Sequence, residues 1–222
     1  MIKLAIAVLW GAVLIFYSTT VADSPPRQND LAELISFLRN SNNNEVARDD
    51  IAVLIGVTFR EEQHVFDQLM KLVRDDPLEV KASAAIALGH LGDKRAIKPL
   101  ERLLRDVDFL IESSKIPFKP PLLDALRKSN LKEDEFRQVI KLYEIKYKIA
   151  SALAHLGQKS VTKILLEALE SPRSPARTRA VIALGVLKDP ETVEPLIELL
   201  KHKERFVAIS AAGILADIGD SR

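Results

Sequence analysis

Apolar residues recur at helical spacing along most of this chain, and one long pattern occurs twice. Residues 82–104 read ASAAIALGHLGDKRAIKPLERLL, and residues 178–200 read TRAVIALGVLKDPETVEPLIELL. In and just before the first segment, Val80, Ala84, Ala87, Leu88 and Leu91 are related by spacings of three and four, with Ala87 and Leu88 adjacent, which places them on one side of a helix. This stripe is rich in alanine, so it predicts a helix that a neighbouring helix approaches closely.

The same pattern returns at a period close to 31 residues. A shift of 31 positions from residues 178–200 reaches 147–169 in one direction and 209–220 in the other, and a weaker copy occupies 51–73. One pair of helices of this length cannot bury both of its apolar faces, whereas stacked pairs bury them against each other. The repeat therefore predicts an all-α solenoid of about four to five helical hairpins.

Each copy contains signals for a second helix after the alanine-rich one. Asp93 and Asp189 stand where N-caps are expected, and Pro190 suits the first helical position. Pro99 and Pro195 follow about one turn later, where proline is expected to delay or bend the second helix because it lacks an N–H group.

The residues from Ala84 to Leu100 resemble the short HEAT-type repeat of phycobilisome-lyase-like proteins. The resemblance rests on the pattern Ala-x-Ile-Ala-Leu-Gly-x-Leu-Gly-Asp and covers most of Leu31–Asp220, with departures at Ala154, at Lys188 and throughout the first copy. It implies a HEAT-like solenoid. It says little about function, because such repeats serve scaffolds, adaptors and a few enzymes; a bilin lyase-like activity is the enzymatic alternative, by analogy of fold alone.

The period is interrupted between the second and third copies. Leu104 and Tyr147 are 43 positions apart, whereas Leu169 and Thr178 are 9 positions apart. Three prolines, at 117, 120 and 121, predict an irregular insert around residues 106–141, with a short helix from 121 to 128. Apolar spacing from Glu133 onward predicts one long helix that continues into the third copy. The insert is open to two interpretations, a degenerate repeat or an arm that contacts a partner.

The N-terminal 22 residues have the layout of a targeting segment. A basic start at Lys3 precedes the uncharged apolar run Leu4–Tyr17, and Thr20-Val21-Ala22 resembles a cleavage site. The apolar run is short for a membrane span, which needs about 20 residues. Residues 1–22 are thus predicted to be a signal peptide or an N-terminal membrane anchor, with a buried helix as the other possibility. Residues 23–30 (DSPPRQND) form a linker, and 31–222 form the solenoid. The expected localisation is exported, periplasmic or extracytoplasmic.

Composition excludes several classes of function. The chain has 32 Lys and Arg against 31 Asp and Glu, so it lacks the basic excess typical of nucleic-acid binding. It contains no cysteine, which excludes disulfides, thiolate nucleophiles and cysteine-based metal sites. A hydrophobic content of 47% is sufficient for a folded core.

No group of residues in the sequence commits to catalysis, a metal or a cofactor. Helical-repeat di-iron hydroxylases, which this repeat type also resembles, carry His-Glu pairs in several repeats. None of the four histidines here, at 64, 90, 155 and 202, is followed by Glu. His90 and His155 occupy the same place in their repeats and are interpreted as histidines near the repeat surface. We expect no catalytic residues, no metal ligands and no cofactor.

The second helices of such a solenoid are expected to line its concave side. Equivalent positions on them mix positive and negative charges, which suits a protein surface or plain solvation better than a phosphate groove. The cluster Arg173, Arg177 and Arg179 is expected to be solvated. The sequence thus predicts a non-enzymatic scaffold or adaptor that binds another protein, with candidate partner-binding residues Lys98, Arg102, Lys163, Glu167, Glu194 and Glu198.

Overall fold

The computed structural model describes residues 28–40, 44–114, 133–171, 173–203 and 205–219, and within these ranges the regular structure is entirely helical. The α-helices, in chain order, are α1 Gln28–Arg39, α2 Glu45–Thr58, α3 Gln63–Asp75, α4 Leu78–Leu91, α5 Ile97–Ser113, α6 Glu133–His155, α7 Thr162–Leu169, α8 Ser174–Leu187, α9 Val193–Leu199 and α10 Arg205–Ile218. Short 3-10 turns at Lys94–Ala96, Lys159–Val161 and Pro190–Thr192 precede α5, α7 and α9.

These helices pack as successive antiparallel pairs, which confirms an α-solenoid. Each odd-numbered helix packs mainly on the even-numbered helix that follows it, and the even-numbered helices stack on one another from α2 to α10. The sequence analysis predicts the other pairing, in which each copy begins with an alanine-rich, even-numbered helix that pairs with the odd-numbered helix after it. The difference arises because only Asp76 and Pro77 separate α3 from α4, so the chain folds back sharply there, whereas a 3-10 turn carries α4 into α5. With this pairing, both α1 and α10 belong to complete pairs.

The capping predictions are confirmed in a modified form. Asp93 accepts a hydrogen bond from the Arg95 N–H at 2.9 Å, and Asp189 accepts one from the Glu191 N–H at 3.4 Å. Both aspartates therefore cap 3-10 turns rather than α-helices. The α-helices begin after those turns, and Pro99 lies in the first turn of α5, where its missing N–H costs little.

Glycines allow the even-numbered helices to approach one another closely, as the alanine-rich stripe predicts. A Cβ atom added to Gly89 of α4 would lie 2.7 Å from the Ala152 Cα of α6. A Cβ atom on Gly56 of α2 would overlap the Ala87 carbonyl oxygen of α4. These contacts involve backbone atoms, so the neighbouring helix would have to move to accommodate even a methyl group.

We therefore expect Gly89→Ala to destabilise the protein. Alanine gains about 1 kcal/mol of helix propensity over glycine, but overpacking costs about 1–3 kcal/mol. Gly213→Ala is the matched control, because no atom lies within 4 Å of its added Cβ, and it should stabilise by about 0.5–1 kcal/mol. Urea unfolding of both variants measures the difference. Equal stabilisation by the two alanines would show that α4 and α6 are not held at this distance.

The segment between α5 and α6 is shorter than the insert predicted at residues 106–141. Helix α5 continues through Ser113, and α6 runs without interruption from Glu133 to His155, which confirms the predicted long helix. The predicted short helix at 121–128 lies outside the described residues, as do residues 1–27 with the predicted targeting segment and most of the linker. Among the helices that are described, none has both the length and the apolarity needed to cross a membrane.

Candidate functional site: the inner face of the solenoid

Ion pairs join helices that are distant in the stack. The Arg179 Nη2 of α8 lies 2.7 Å from the Asp49 Oδ2 of α2, and the Arg173 Nη2 lies 3.1 Å from the Glu45 Oε2. Helices α2 and α8 are the first and fourth of the even-numbered stack, and packed helices are about 8–10 Å apart. A straight stack would separate them by far more than two side chains span. The stack is therefore tightly curved, with the N-terminal ends of α2 and α8 inside the curve.

This curvature corrects the expectation that the second helices line the concave side. The even-numbered helices form the inner layer, and α5, α7 and α9 lie outside them. The predicted partner-binding residues are distributed over these three outer helices, where Glu167 is half-buried and the other five are exposed: Lys98, Arg102, Lys163, Glu194 and Glu198. That they bind a partner stays a prediction.

A buried lysine from the second half of α6 lies between the N-terminal ends of α2 and α8. The Lys148 side chain of α6 is only 3% exposed, and its Nζ lies 2.8 Å from the Glu45 Oε1 and 3.0 Å from the Asp49 Oδ2. Ser83 of α4 donates a hydrogen bond from its Oγ to the Asp49 Oδ1 at 3.1 Å. We use the name ion cluster for the six charged residues that meet here: Glu45, Asp49, Glu144, Lys148, Arg173 and Arg179.

Charges within the ion cluster compensate one another. Burial acts to raise the pKa of Glu45, but Lys148 and Arg173 outweigh it and the pKa is lowered. Glu144 is 3% exposed, and burial raises its pKa, with Glu45 adding to the effect. Its Oε1 lies 3.6 Å from the Arg173 Nε. Three acidic side chains thus face three basic ones, which indicates a structural role that closes the curve, although the Glu144 Oε1 and the Arg179 Nη1 are buried without a hydrogen-bond partner.

The expectation that Arg173, Arg177 and Arg179 are solvated is wrong. Arg173 and Arg179 belong to the ion cluster, and the Arg179 side chain is only 16% exposed. Arg177 donates a hydrogen bond to the Ser171 carbonyl oxygen at 2.6 Å, and its guanidinium lies 5.4 Å from the centre of the Phe206 ring. The acidic partners of two of these arginines lie on α2, more than a hundred residues earlier, so local sequence gives no sign of them.

Beyond the ion cluster, the inner layer becomes apolar toward the C-terminal ends of the even-numbered helices. Positions one and two turns after the cluster carry aliphatic side chains on α2 and α8, and the position one turn after Ser83 on α4 is Ile86. Three of these are largely exposed: Val57 at 58%, Ile182 at 54% and Val186 at 49%. We use the name inner apolar face for the set Val53, Val57, Ile86, Ile182 and Val186.

Two histidines from adjacent helices meet within this face. The ring centres of His90 on α4 and His155 on α6 are 4.4 Å apart. The two histidines, which the sequence places at equivalent positions of their repeats, are therefore in contact. The His155 Nδ1 lies 2.8 Å from the Ser151 carbonyl oxygen. Burial, together with the charges of His155 and Arg60, lowers the pKa of His90 to about 4. In the part of the chain that the structure describes, no group of three or more side chains is arranged to hold a metal ion.

A cleft of about 350 Å³ with several charged residues in its lining opens beside the ion cluster, between α1, α2, α4 and α6. Its rim contains Arg39, which forms an ion pair with Asp76 at 2.8 Å, and Lys141, which forms one with Glu79 at 3.0 Å. Both rim cations thus have carboxylate partners, and the lining also contains Arg48 and the buried Lys148.

The His90 pKa makes stability depend on pH. In the unfolded chain His90 titrates near 6.5, so as the pH falls from about 6.5 toward 4 the unfolded state binds its proton first. Stability contributed by the neutral ring is complete above this window and is lost as the pH falls through it. We expect His90→Gln to lose less stability than the wild type between these pH values, measured by urea unfolding. Parallel profiles for the two proteins would contradict this assignment.

Comparison with known sequences identifies the repeat. The profile of HEAT repeats matches residues 31–114 and 120–216, which together make up most of the chain. This chain belongs to the HEAT-repeat family. No protein of curated function matches the sequence of this HEAT-repeat chain. Among solved structures, it is similar to human deoxyhypusine hydroxylase in complex with glycerol at 16% identity, with 88% of this chain and 92% of that chain covered. The TM-score is 0.28, and at that value the likeness carries no argument about function.

Proposed function

We propose that this HEAT-repeat protein is a non-enzymatic scaffold or adaptor that binds another protein on its inner apolar face. The observation that carries the proposal is the exposure of Val57, Ile182 and Val186, large apolar side chains that are 49–58% accessible. Clustered apolar exposure on a soluble protein is typical of an interaction surface. HEAT repeats support the proposal because solenoids of this kind present extended concave surfaces.

The curvature is the basis for inferring that these side chains line a groove. Because α2 and α8 converge at the ion cluster, we infer that Val57 and Ile182 face each other across α4 and α6, which carry the paired rings of His90 and His155. Such a groove suits an apolar face of a partner helix or strand, held by burial of aliphatic surface rather than by charge. The outer residues such as Arg102 and Glu198 are the second candidate surface, with mixed charges suited to a weaker contact.

A photo-crosslinking experiment separates the two surfaces. We expect a photoreactive residue at Ile182 to capture a specific protein in the producing cell, and the double variant Ile182→Asp/Val186→Asp to lose that complex. The matched control, Arg102→Ala/Glu198→Ala, should retain it. Loss of the complex in the control variant alone would show that the partner binds the outer helices instead.

The enzymatic alternative is a bilin lyase-like activity. It goes with the proposal that these repeats are of the phycobilisome-lyase-like subtype. It is supported by the residues of 84–100 alone. Visible absorption spectra and metal analysis of the purified protein test this alternative. Stoichiometric tetrapyrrole or iron that is lost on changing His90 and His155 would replace the scaffold proposal.

We propose further that the protein is exported, on the layout of Lys3, the apolar run after it and Ala22. N-terminal sequencing of protein from the envelope fraction is expected to begin near Asp23, or the protein should remain membrane-bound. Intact Met1 in a soluble cytoplasmic fraction would contradict both forms of the proposal.

A further inference from the structure

The cleft between α1, α2, α4 and α6 has more positive than negative charge in its lining. Among the residues that the structure describes, its cations are Arg39, Arg48, Lys141 and Lys148. Its carboxylates, within the same described residues, are Glu45 and Glu79. Helices α2 and α4 also begin at this cleft, and the N-terminal end of a helix carries a partial positive charge. The field of the lining therefore favours an anion inside the cleft.

Arg48 and Lys141 both act on one carboxylate of this lining, that of Glu79. The Lys141 Nζ lies 3.0 Å from the Glu79 Oε1. This hydrogen bond lowers the pKa of Glu79, and the charge of Arg48 adds to the effect, so Glu79 offers one negative charge to two cations. Arg48 lines the cleft although it is only 7% exposed. The cleft thus contains a buried guanidinium, whose planar fork of donors suits a carboxylate.

The remaining part of the cleft suits an aliphatic group. Val80 of α4 and Ile145 of α6 are 5% and 4% exposed and line the cleft together with Pro77. The cleft volume of about 350 Å³ is near the lower end of the range for small-molecule sites, about 300–1,000 Å³. A space of this size between four helices fits a small molecule better than a segment of a partner protein.

We propose that this cleft binds a small organic acid that has one carboxylate and a short aliphatic body. The carboxylate pairs with Arg48 and Lys141, and the body contacts Val80 and Ile145. One negative charge suits the lining better than two, because the carboxylates of the lining repel a dianion such as phosphate more strongly. The apolar contacts add affinity that inorganic anions do not gain.

Glu79 competes with such a ligand for the same two cations. Its side chain is 40% exposed, so it can turn toward water when another carboxylate takes its place. Replacing Glu79 with glutamine removes this competition, and we expect the affinity for the acid to rise severalfold. A residue that only supports the fold would not produce a gain in affinity when it is replaced.

Isothermal titration calorimetry of the full chain with butanoate at low salt tests this proposal. Butanoate should bind, and acetate should bind about tenfold more weakly because it lacks two methylene groups. Butan-1-ol, which has the aliphatic body without the charge, and inorganic phosphate, which has the charge without the body, should both bind more weakly than butanoate.

Three variants of the lining are expected to change the affinity in opposite directions. Arg48→Gln should weaken butanoate binding at least tenfold and Lys141→Met severalfold, whereas Glu79→Gln should strengthen it. Arg95→Gln is the matched control, because Arg95 is also paired with a carboxylate, that of Asp93 at 2.6 Å, but does not line this cleft. It should bind butanoate like the wild type.

A wild type that binds neither acid, or one that binds phosphate more tightly than butanoate, would overturn the proposal. So would a Glu79→Gln variant with weaker binding. Arg48 is buried, so its replacement can impair folding; Lys141→Met and Glu79→Gln then decide the question, since both change side chains that are at least 40% exposed. None of these results depends on whether the inner apolar face binds a partner.

Discussion

Replacing Lys148 with methionine is expected to lower the free energy of unfolding by about 3–5 kcal/mol. Methionine fills a similar volume but leaves Glu45 and Asp49 without the cation that both of them contact. Asp49 has a side chain only 10% exposed, so water compensates little for the loss. Removing one partner of a buried pair is costly because the remaining charge stays buried. Urea unfolding followed by circular dichroism measures the change.

Lys141→Met is the matched control for this prediction. Lys141 lies two turns earlier on the same helix and forms an ion pair with Glu79 at 3.0 Å, but its side chain is 63% exposed. Exposed pairs contribute at most about 1 kcal/mol. A loss at Lys148 no larger than that at Lys141 would mean that the ion cluster does not hold the curve closed. Small-angle scattering of the folded Lys148→Met protein should show a more open particle for the same reason.

The sequence predicted those features of the fold that depend on neighbouring residues. The 31-residue repeat, the long helix from Glu133 and the capping aspartates all follow from spacing within a few turns, and all are present. The pairing of helices was wrong because both neighbours of an alanine-rich helix are close in sequence. Apolar periodicity does not decide which of the two packs more tightly. The two-residue connection at Asp76–Pro77 was the local signal for the sharper turn.

The ion cluster was missed because its members are far apart in the chain. Glu45 and Arg173 are 128 positions apart, and no spacing rule links them. A partial signal was present in the repeat itself. Ser83, Lys148 and Arg179 occupy equivalent positions on α4, α6 and α8, where an inner helix otherwise carries apolar residues. The equivalent positions of the alanine-rich helices thus form a polar column that can be read from the sequence alone.

Leu88→Ala is expected to be the other strongly destabilising change, with a loss of about 2–5 kcal/mol. Leu88 is fully buried on α4, which packs against α2 on one side and α6 on the other. The cavity therefore opens in an interior helix of the stack. Leu110→Ala removes the same atoms from a side chain that is 43% exposed on α5, and it should cost far less.

The position of Leu88 also affects how the protein unfolds. Stability in a solenoid is carried by contacts between neighbouring repeats, so weakening a central contact uncouples the two sides of the array. We expect Leu88→Ala to broaden the urea transition as well as shift it, because the pairs on either side of α4 then unfold with less mutual support. A shift of the transition midpoint with an unchanged dependence of the unfolding free energy on urea concentration would show that the array still unfolds as one unit. The ion pairs that link α2 directly to α6 and α8 would then hold it together across α4.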